Sequence, residues 1–339
     1  MTASPRCTAT APGKVNLHFA VGDARADGYH DVASLYAAVD LHETVTAELG
    51  PRGAGVTVET TLAPGSALER MAAAGRFSLD SVPADGTNLA VRAADLLLRR
   101  HGLPEDLGLR LEVVKEIPVA GGMAGGSADA AAALRAVDRL LALTGLAPAL
   151  APAELTALAA RLGADVPFAL LGGVAVGTGT GTELRPVRLA EPLEVELVPA
   201  AFGLSTPEVF RELDRLRADD AASGGRATPA ARAPAEVTVP PDLLEALARP
   251  GDDAAALAPL LRNDLQRAAL SLRPELGPVL APRPGWASLL SGSGPTVMRL
   301  RRRRAGGPGA DGPEAADGPE AANALTGAEA IRTTIPATG

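Results

Sequence analysis

The chain has 339 residues, 47% of them hydrophobic and 21% charged, with a net charge of −8. Such a chain is globular and long enough for two cores, which excludes a disordered protein. The acidic balance argues against a nucleic-acid partner, so an anionic ligand has to be met by local positive features. One cysteine, Cys7, excludes an intrachain disulfide and fits a reducing cytoplasm. Residues 1–12 lack a basic-then-apolar leader, and no apolar run approaches the ~20 residues of a membrane helix. A soluble cytoplasmic protein without a membrane partner is expected.

In chain order, residues 8–20 alternate in polarity and end in Val15-Asn-Leu-His-Phe19, a strand-like opening. A loop with Gly22, Asp27 and Gly28 follows, then strands at 33–41, 45–49 and 56–61. Residues 88–101 read as a helix with Leu89, Ala93, Leu96 and Leu97 on one face. A strand at 109–115 feeds a glycine loop, and residues 127–143 form the next helix, with Arg135, Asp138 and Arg139 turned from its apolar face. Residues 152–162 form a short helix stopped by Gly163, read as a left-handed cap. Residues 170–181 read as a hairpin strand with a glycine turn, and 193–199 as a strand opening a second domain. The predicted domains are 1–187 and 188–339.

Beyond the boundary, helices are predicted at 206–217, 242–248 and 263–272, and a loop without periodicity at 218–240. Residues 286–290 lead to Ser291-Gly-Ser-Gly-Pro295 and a strand at 296–300. Four arginines at 301–304 precede a short repeat, Ala310-Asp-Gly-Pro-Glu-Ala315 and its near copy at 316–321, expected to be a solvated loop.

The most informative stretch runs from Pro118 through Gly121, Gly122, Gly125, Gly126 and Ser127 into a helix. Glycine backbones approach an anion closely, and the helix adds unsatisfied N–H groups and the positive end of its dipole. Clustered glycines also mark tight turns and close helix packing; the strand–loop–helix context favours phosphate. No Gly-x-x-x-x-Gly-Lys-Ser/Thr occurs, so this is not a P-loop. The marks of a protein kinase, His-Arg-Asp and Asp-Phe-Gly, are missing too.

Lysine occurs only twice, as Lys14 and Lys115, in a chain that otherwise uses arginine. A compact ammonium and a guanidinium fork are not interchangeable, so both sites are marked. Lys14 sits at the entry to an apolar strand, a costly place for an unpaired charge, or else is an exposed edge residue. Asp165, between a helix stop and Val-Pro-Phe168, is either a partly buried carboxylate or a plain helix cap. Phosphoryl transfer to an alcohol needs a carboxylate near the hydroxyl and positive charge over the moving group. Lys14 and Asp165 supply these if folding brings them together.

Pro12-Gly-Lys-Val-Asn16, the Pro118–Ser127 loop and Ser291-Gly-Ser-Gly-Pro295 stand in an order that resembles the galactokinase, homoserine kinase, mevalonate kinase and phosphomevalonate kinase (GHMP) family. The resemblance implies an α+β, two-domain architecture. It pairs an N-terminal ribosomal-protein-S5-domain-2-like domain with a C-terminal ferredoxin-like α/β domain, the active site lying in the cleft between them. It implies catalytic Lys14 and Asp165, a triphosphate loop of Pro118, Gly121, Gly122, Gly125, Gly126 and Ser127, and Asn88 and Lys115 lining the nucleotide site. ATP is the implied cofactor, with Mg²⁺ carried on it and no protein metal ligand assigned.

Further segments, Arg25-Ala-Asp-Gly-Tyr-His30, Ser34-Leu-Tyr36, 163–168, Ser205-Thr-Pro-Glu-Val-Phe210 and Asn263-Asp-Leu265, resemble family members whose alcohol is a methylerythritol unit carrying a cytidine diphosphate group. By that resemblance Tyr29 and Phe210 stack on cytosine and His30 bonds its edge. Asn16 and Thr206 contact substrate, and Tyr36 walls the pocket. Without the motif, Tyr29 and Phe210 read as core. A homoserine- or mevalonate-type kinase, or a non-catalytic nucleotide-binding relative, remains the alternative, and a monomer or weak homodimer is expected. Two departures stand out: Ala120 and Ala124 replace glycines common in the loop, and the 301–322 insertion interrupts the C-terminal edge.

Overall fold

The computed structural model describes residues 4–104, 106–119, 121–200, 202–223, 237–251, 257–302 and 330–338. The repeat at 310–321, Arg303, Arg304 and residues 224–236 of the predicted loop lie outside the described residues. The elements begin with β1 (Arg6–Ala24), β2 (His30–Leu49), β3 (Val56–Leu62), α1 (Ala67–Ala73), α2 (Leu89–Arg100) and β4 (Leu109–Lys115). There follow α3 (Gly125–Leu143), α4 (Pro152–Leu162), α5 (Val166–Leu171), β5 (Val174–Thr178), β6 (Glu183–Pro186) and β7 (Leu193–Val198). The remainder are α6 (Thr206–Ala222), α7 (Pro241–Ala248), β8 (Arg262–Asn263), α8 (Leu265–Leu272), α9 (Gly277–Leu280), β9 (Ala287–Leu290), β10 (Val297–Arg302) and β11 (Ile331–Ile335).

Two compact units emerge, neither of them a contiguous half of the chain. One comprises Met1–Gly13, Leu41–Val119 and Ala124–Gly172; the other Lys14–Asp40, Ala120–Met123 and Gly173–Gly339. This division differs from a single cut near residue 187, because β1 and β2 each run through both units. The strands expected at 33–41 and 45–49 are one strand of 20 residues. Glu43, in the stretch between the two predicted strands, is fully buried and pairs with Lys115.

In the first unit, β4 pairs antiparallel with the end of β2, Thr44 facing Val114, and parallel with β3, Val56 facing Leu109. Helices α2 and α3 pack together through small residues. The buried face of α2 carries Ala90, Val91, Ala93, Ala94, Leu97 and Leu98; Ala93 and Leu97 of the predicted face lie in it, and Leu89 and Leu96 lie at its margin. Alanines there allow close approach to the run Ala130–Ala133 of α3, which is also buried. Asp138, expected to face away, is buried and accepts the Leu150 N–H at 3.0 Å. Gly163 has φ 169°, extended rather than left-handed as predicted, and Leu170–Leu171 close α5 instead of opening a strand.

In the second unit, β2 pairs with β5 through Tyr36 and Ala175, and β5 turns back into β6. The predicted hairpin therefore exists but begins at Val174. β1 pairs parallel with the short β8, Phe19 facing Asn263, so helix α8 starts at Leu265, two residues later than predicted. A second, antiparallel sheet has the order β11-β7-β10-β9. Val209 and Leu213 of α6 and Leu265, Ala268 and Ala269 of α8 share a core with Val198, Leu290 and Val297. β10 continues through Arg301 and Arg302: Arg301 pairs with Glu194 at 2.6 Å and Arg302 donates to the Arg249 carbonyl at 2.8 Å. Hydrogen-bonded strand thus takes up the start of the arginine run.

Candidate active site

Lys14 belongs to the second unit and is buried in β1. Its Nζ donates to Asn16 Oδ1 at 2.9 Å, and Asn16 Nδ2 donates to Ser34 Oγ at 2.7 Å. These residues lie two apart on β1, hence on one face, with Ser34 reaching them from β2. The ammonium stands 5.9 Å from the Tyr36 ring centroid, within cation–π reach. Tyr36 is itself buried against glycine: a Cβ at Gly177 would meet its ring at 2.5 Å.

Two glycine loops come to this lysine. Its backbone N–H donates to the Met123 carbonyl at 3.1 Å. Gly292 lies so close that a Cβ there would sit 3.3 Å from Lys14 Nζ and from Asn16 Oδ1. Gly122 has φ +71°, and its Cβ would strike the Ser291 carbonyl at 2.5 Å, so both the conformation and the space require glycine. Asn263 Nδ2 ties down the Ser291–Pro295 loop by donating to the carbonyls of Leu290 and Gly292 at 2.8 and 2.7 Å. Thr206 Oγ1 lies 2.8 Å from Ser293 Oγ.

In the first unit, Pro118 is buried and Gly125, Gly126 and Ser127 form the opening turn of α3. The preceding Ala124 has φ 60° and gives no side-chain cap, so an anion is a fitting partner for the first-turn amides. A Cβ at Gly125 would come within 3.1 Å of Glu43 Oε1. Beneath that turn lies Lys115, its Nζ 2.9 Å from Glu43 Oε1 and 2.7 Å from Asp129 Oδ2. Burial pushes the Glu43 carboxyl up to about 8, helped by the Asp129 charge and opposed by Lys115. Burial raises Asp129 as well, and the two carboxylates outweigh burial to raise Lys115.

Asn88 caps α2: its Oδ1 accepts the Ala90 N–H at 2.8 Å and its Nδ2 donates to Pro83 at 2.7 Å. Asp165 occupies the N-cap position of α5, yet its carboxylate makes no capping bond. It is half-buried beside the buried Val166, Pro167 and Phe168.

The aromatic set lies in the second unit. Tyr29 is 66% exposed, which excludes core packing. A turn displays it: Arg25 N–H donates to the Tyr29 carbonyl at 2.7 Å, and Tyr29 N–H to Asp27 Oδ1 at 3.1 Å. His30 is buried, its ring centroid 5.0 Å from that of Phe210 at an interplanar angle of 40°. Its Nε2 lies 2.9 Å from Asp214 Oδ1. Sequence reasoning missed Glu43, Asp129, Asp214 and the loop-holding role of Asn263. Only Asn263 left a trace, inside the quoted Asn-Asp-Leu segment. Among the described residues no group of three or more metal-ligating side chains occurs.

The fold and the paired glycine loops define a GHMP-type small-molecule kinase, and the GHMP kinases N terminal domain matches residues 88–173. The 4-diphosphocytidyl-2-C-methyl-D-erythritol kinase of Pseudarthrobacter chlorophenolicus is 46% identical over 297 residues, 86% of this chain and 83% of the relative. That of Streptomyces coelicolor is 44% identical over 296 residues, covering 86% and 87%. A crystal structure of 4-(cytidine 5'-diphospho)-2C-methyl-D-erythritol kinase superposes with a TM-score of 0.64 at 31% identity, over 98% of this chain and 100% of that one. The mevalonate kinase of L. major, solved with R-mevalonate, shares the fold with a TM-score of 0.65 at 16% identity, covering 100% and 97%. The chain belongs to the GHMP kinases and, within them, to the 4-diphosphocytidyl-2-C-methyl-D-erythritol kinase family.

Proposed function

We propose that this protein phosphorylates the 2-hydroxyl of 4-diphosphocytidyl-2-C-methyl-D-erythritol with ATP, giving the 2-phosphate and ADP in the non-mevalonate route to isoprenoid precursors. The observation that carries this is the buried Lys14 ammonium beside two glycine loops, in a chain 44–46% identical to relatives bearing that name. Asp165 orients the hydroxyl and takes its proton as the oxygen bonds to the γ-phosphorus and ADP leaves. Lys14 stabilises negative charge on the transferring group. Gly121, Gly122, Gly125, Gly126 and Ser127 hold the triphosphate by their backbone amides, with Pro118 fixing the loop entry, and Asn88 and Lys115 line the nucleotide side. Mg²⁺ carried on ATP would supply charge neutralisation at the phosphates, with no ligand from this chain assigned to it.

Tyr29 and Phe210 bind the cytosine ring by stacking, which contributes on the order of 1–3 kcal/mol per base. His30 recognises the edge of the base, Asn16 and Thr206 contact the substrate, and Tyr36 walls the pocket. The protein's two functional domains are 1–187 and 188–339.

Asp165→Asn tests the chemistry. ATP consumption with the cytidylated substrate is expected to vanish while cytidine-nucleotide affinity stays within about threefold of wild type, since catalytic and binding contacts are separate. Lost binding with normal turnover of the bound fraction would overturn the assignment of Asp165. Turnover of homoserine or mevalonate in preference to the cytidylated alcohol would overturn the substrate.

A further inference from the structure

We propose that Asp214 is a positioning residue that sets base specificity by fixing the tautomer of His30. This rests on the reading of His30 as the residue at the edge of the pyrimidine. Asp214 follows Phe210 by four residues on α6, so the two side chains share a helical face. That face presents Phe210 to the His30 ring at 5.0 Å and the Asp214 carboxylate to its Nε2 at 2.9 Å.

A carboxylate only accepts, so the His30 proton stands on Nε2 and is donated to Asp214 Oδ1. Among the described residues no hydrogen bond reaches Nδ1, which keeps its lone pair for a ligand. A ring held in this tautomer accepts the exocyclic amine of cytosine. Uracil carries a carbonyl oxygen at the same place, and two acceptors would then face each other without a proton between them. The site discriminates by that unmade bond as much as by the one it makes. Without Asp214 the imidazole is free to move its proton to Nδ1 and donate to the uracil oxygen, and the distinction fades.

The neighbouring charges leave this pair intact. Arg25 is engaged by Asp27 and Asp31, and Arg215 by Glu212 and Asp219. Asp214 is 39% exposed at its side chain, so its replacement does not open the core.

The test is calorimetric binding of CDP and of UDP to the full chain, comparing wild type with Asp214→Ala, Asp214→Asn and His30→Ala. Wild type is expected to favour CDP by about tenfold or more, because a site that pairs a ligand amine rejects the analogue lacking it. In both Asp214 variants the CDP-to-UDP ratio should narrow at least about fivefold, through weaker CDP and relatively better UDP binding. The ¹⁵N shifts of the His30 ring should report protonated Nε2 in wild type and mixed tautomers in the variants. A purely structural role for Asp214 would move neither the ratio nor the tautomer. An unchanged ratio in both Asp214 variants, with CDP binding lost in His30→Ala, overturns the role of Asp214 and leaves the cytidine site standing. Unchanged CDP binding in His30→Ala overturns both.

Discussion

The two lysines of this chain are both buried, with 6% of Lys14 and 2% of Lys115 exposed, yet their surroundings differ in kind. Lys115 is gripped by two carboxylates, Glu43 and Asp129, at 2.9 and 2.7 Å. Lys14 donates to the amide oxygen of Asn16, with the backbone of Gly292 close by. An ammonium held between two carboxylates is an internal cross-link whose charge is already spent. For Lys14, beside that glycine backbone, the proposed task is to face the incoming phosphate. Scarcity of lysine flags both positions; Lys115 is anchored by its two carboxylates on the proposed nucleotide side, and Lys14 is the residue proposed for the transferring phosphate.

The contrast is sharpest under replacement. Lys115→Met leaves two buried carboxylates without their cation, and breaking such a cluster is expected to cost about 3–5 kcal/mol of folding stability. A urea denaturation curve measures it; a stable Lys115→Met enzyme with lost turnover would invert the comparison. Lys14→Met is expected to lower kcat about a hundred- to a thousandfold, as when one donor to a developing negative charge is removed. Its urea midpoint should stay near wild type, and a collapse of the fold would make Lys14 an anchor too.

A gentler probe is pH. The unfolded Glu43 carboxyl releases its proton near 4.5, whereas the folded one holds it to about 8. Between those values the folded chain binds more protons, so stability falls as pH rises through the window and its contribution is complete below 4.5. Glu43→Gln cannot ionise, and its urea midpoints measured from pH 5 to pH 8 should lack that slope. The smallest effect concerns the segment joining the two surroundings along the chain. Ala124 lies between Met123, which accepts from the Lys14 N–H, and the helix bearing Asp129, and it is held at φ 60°. A left-handed alanine is strained, so Ala124→Gly should stabilise by about 0.5–1 kcal/mol, read as a modest rise in Tm.

Much of the local structure was legible. Strand β4 and helix α4 match their predicted bounds, since amphipathic period and punctuating residues are local properties. Elsewhere local rules misled. Two strands were predicted on either side of residues 42–44, but Glu43 stays within one strand because a distant lysine compensates its burial. Gly163 suggested a left-handed cap, but the turn into α5 needs extended backbone there. In α2 the buried stripe was set by which side allows alanine-to-alanine contact with α3, and hydrophobicity alone does not say which side that is.

By itself the sequence marked where glycine is needed and which side chains are candidates for the chemistry. Close approach and positive φ depend on the absence of a Cβ, and ammonium, carboxylate and ring are fixed by residue type. Only the tertiary structure decided what each charged group is set against: Glu43 and Asp129 on Lys115, Asn16 on Lys14, Asp214 on His30. His30 and Asp214 are 184 residues apart in the chain, and no local pattern records a hydrogen bond made across that distance. Strand register and helix packing create these pairs, and with them the different surroundings of the two lysines.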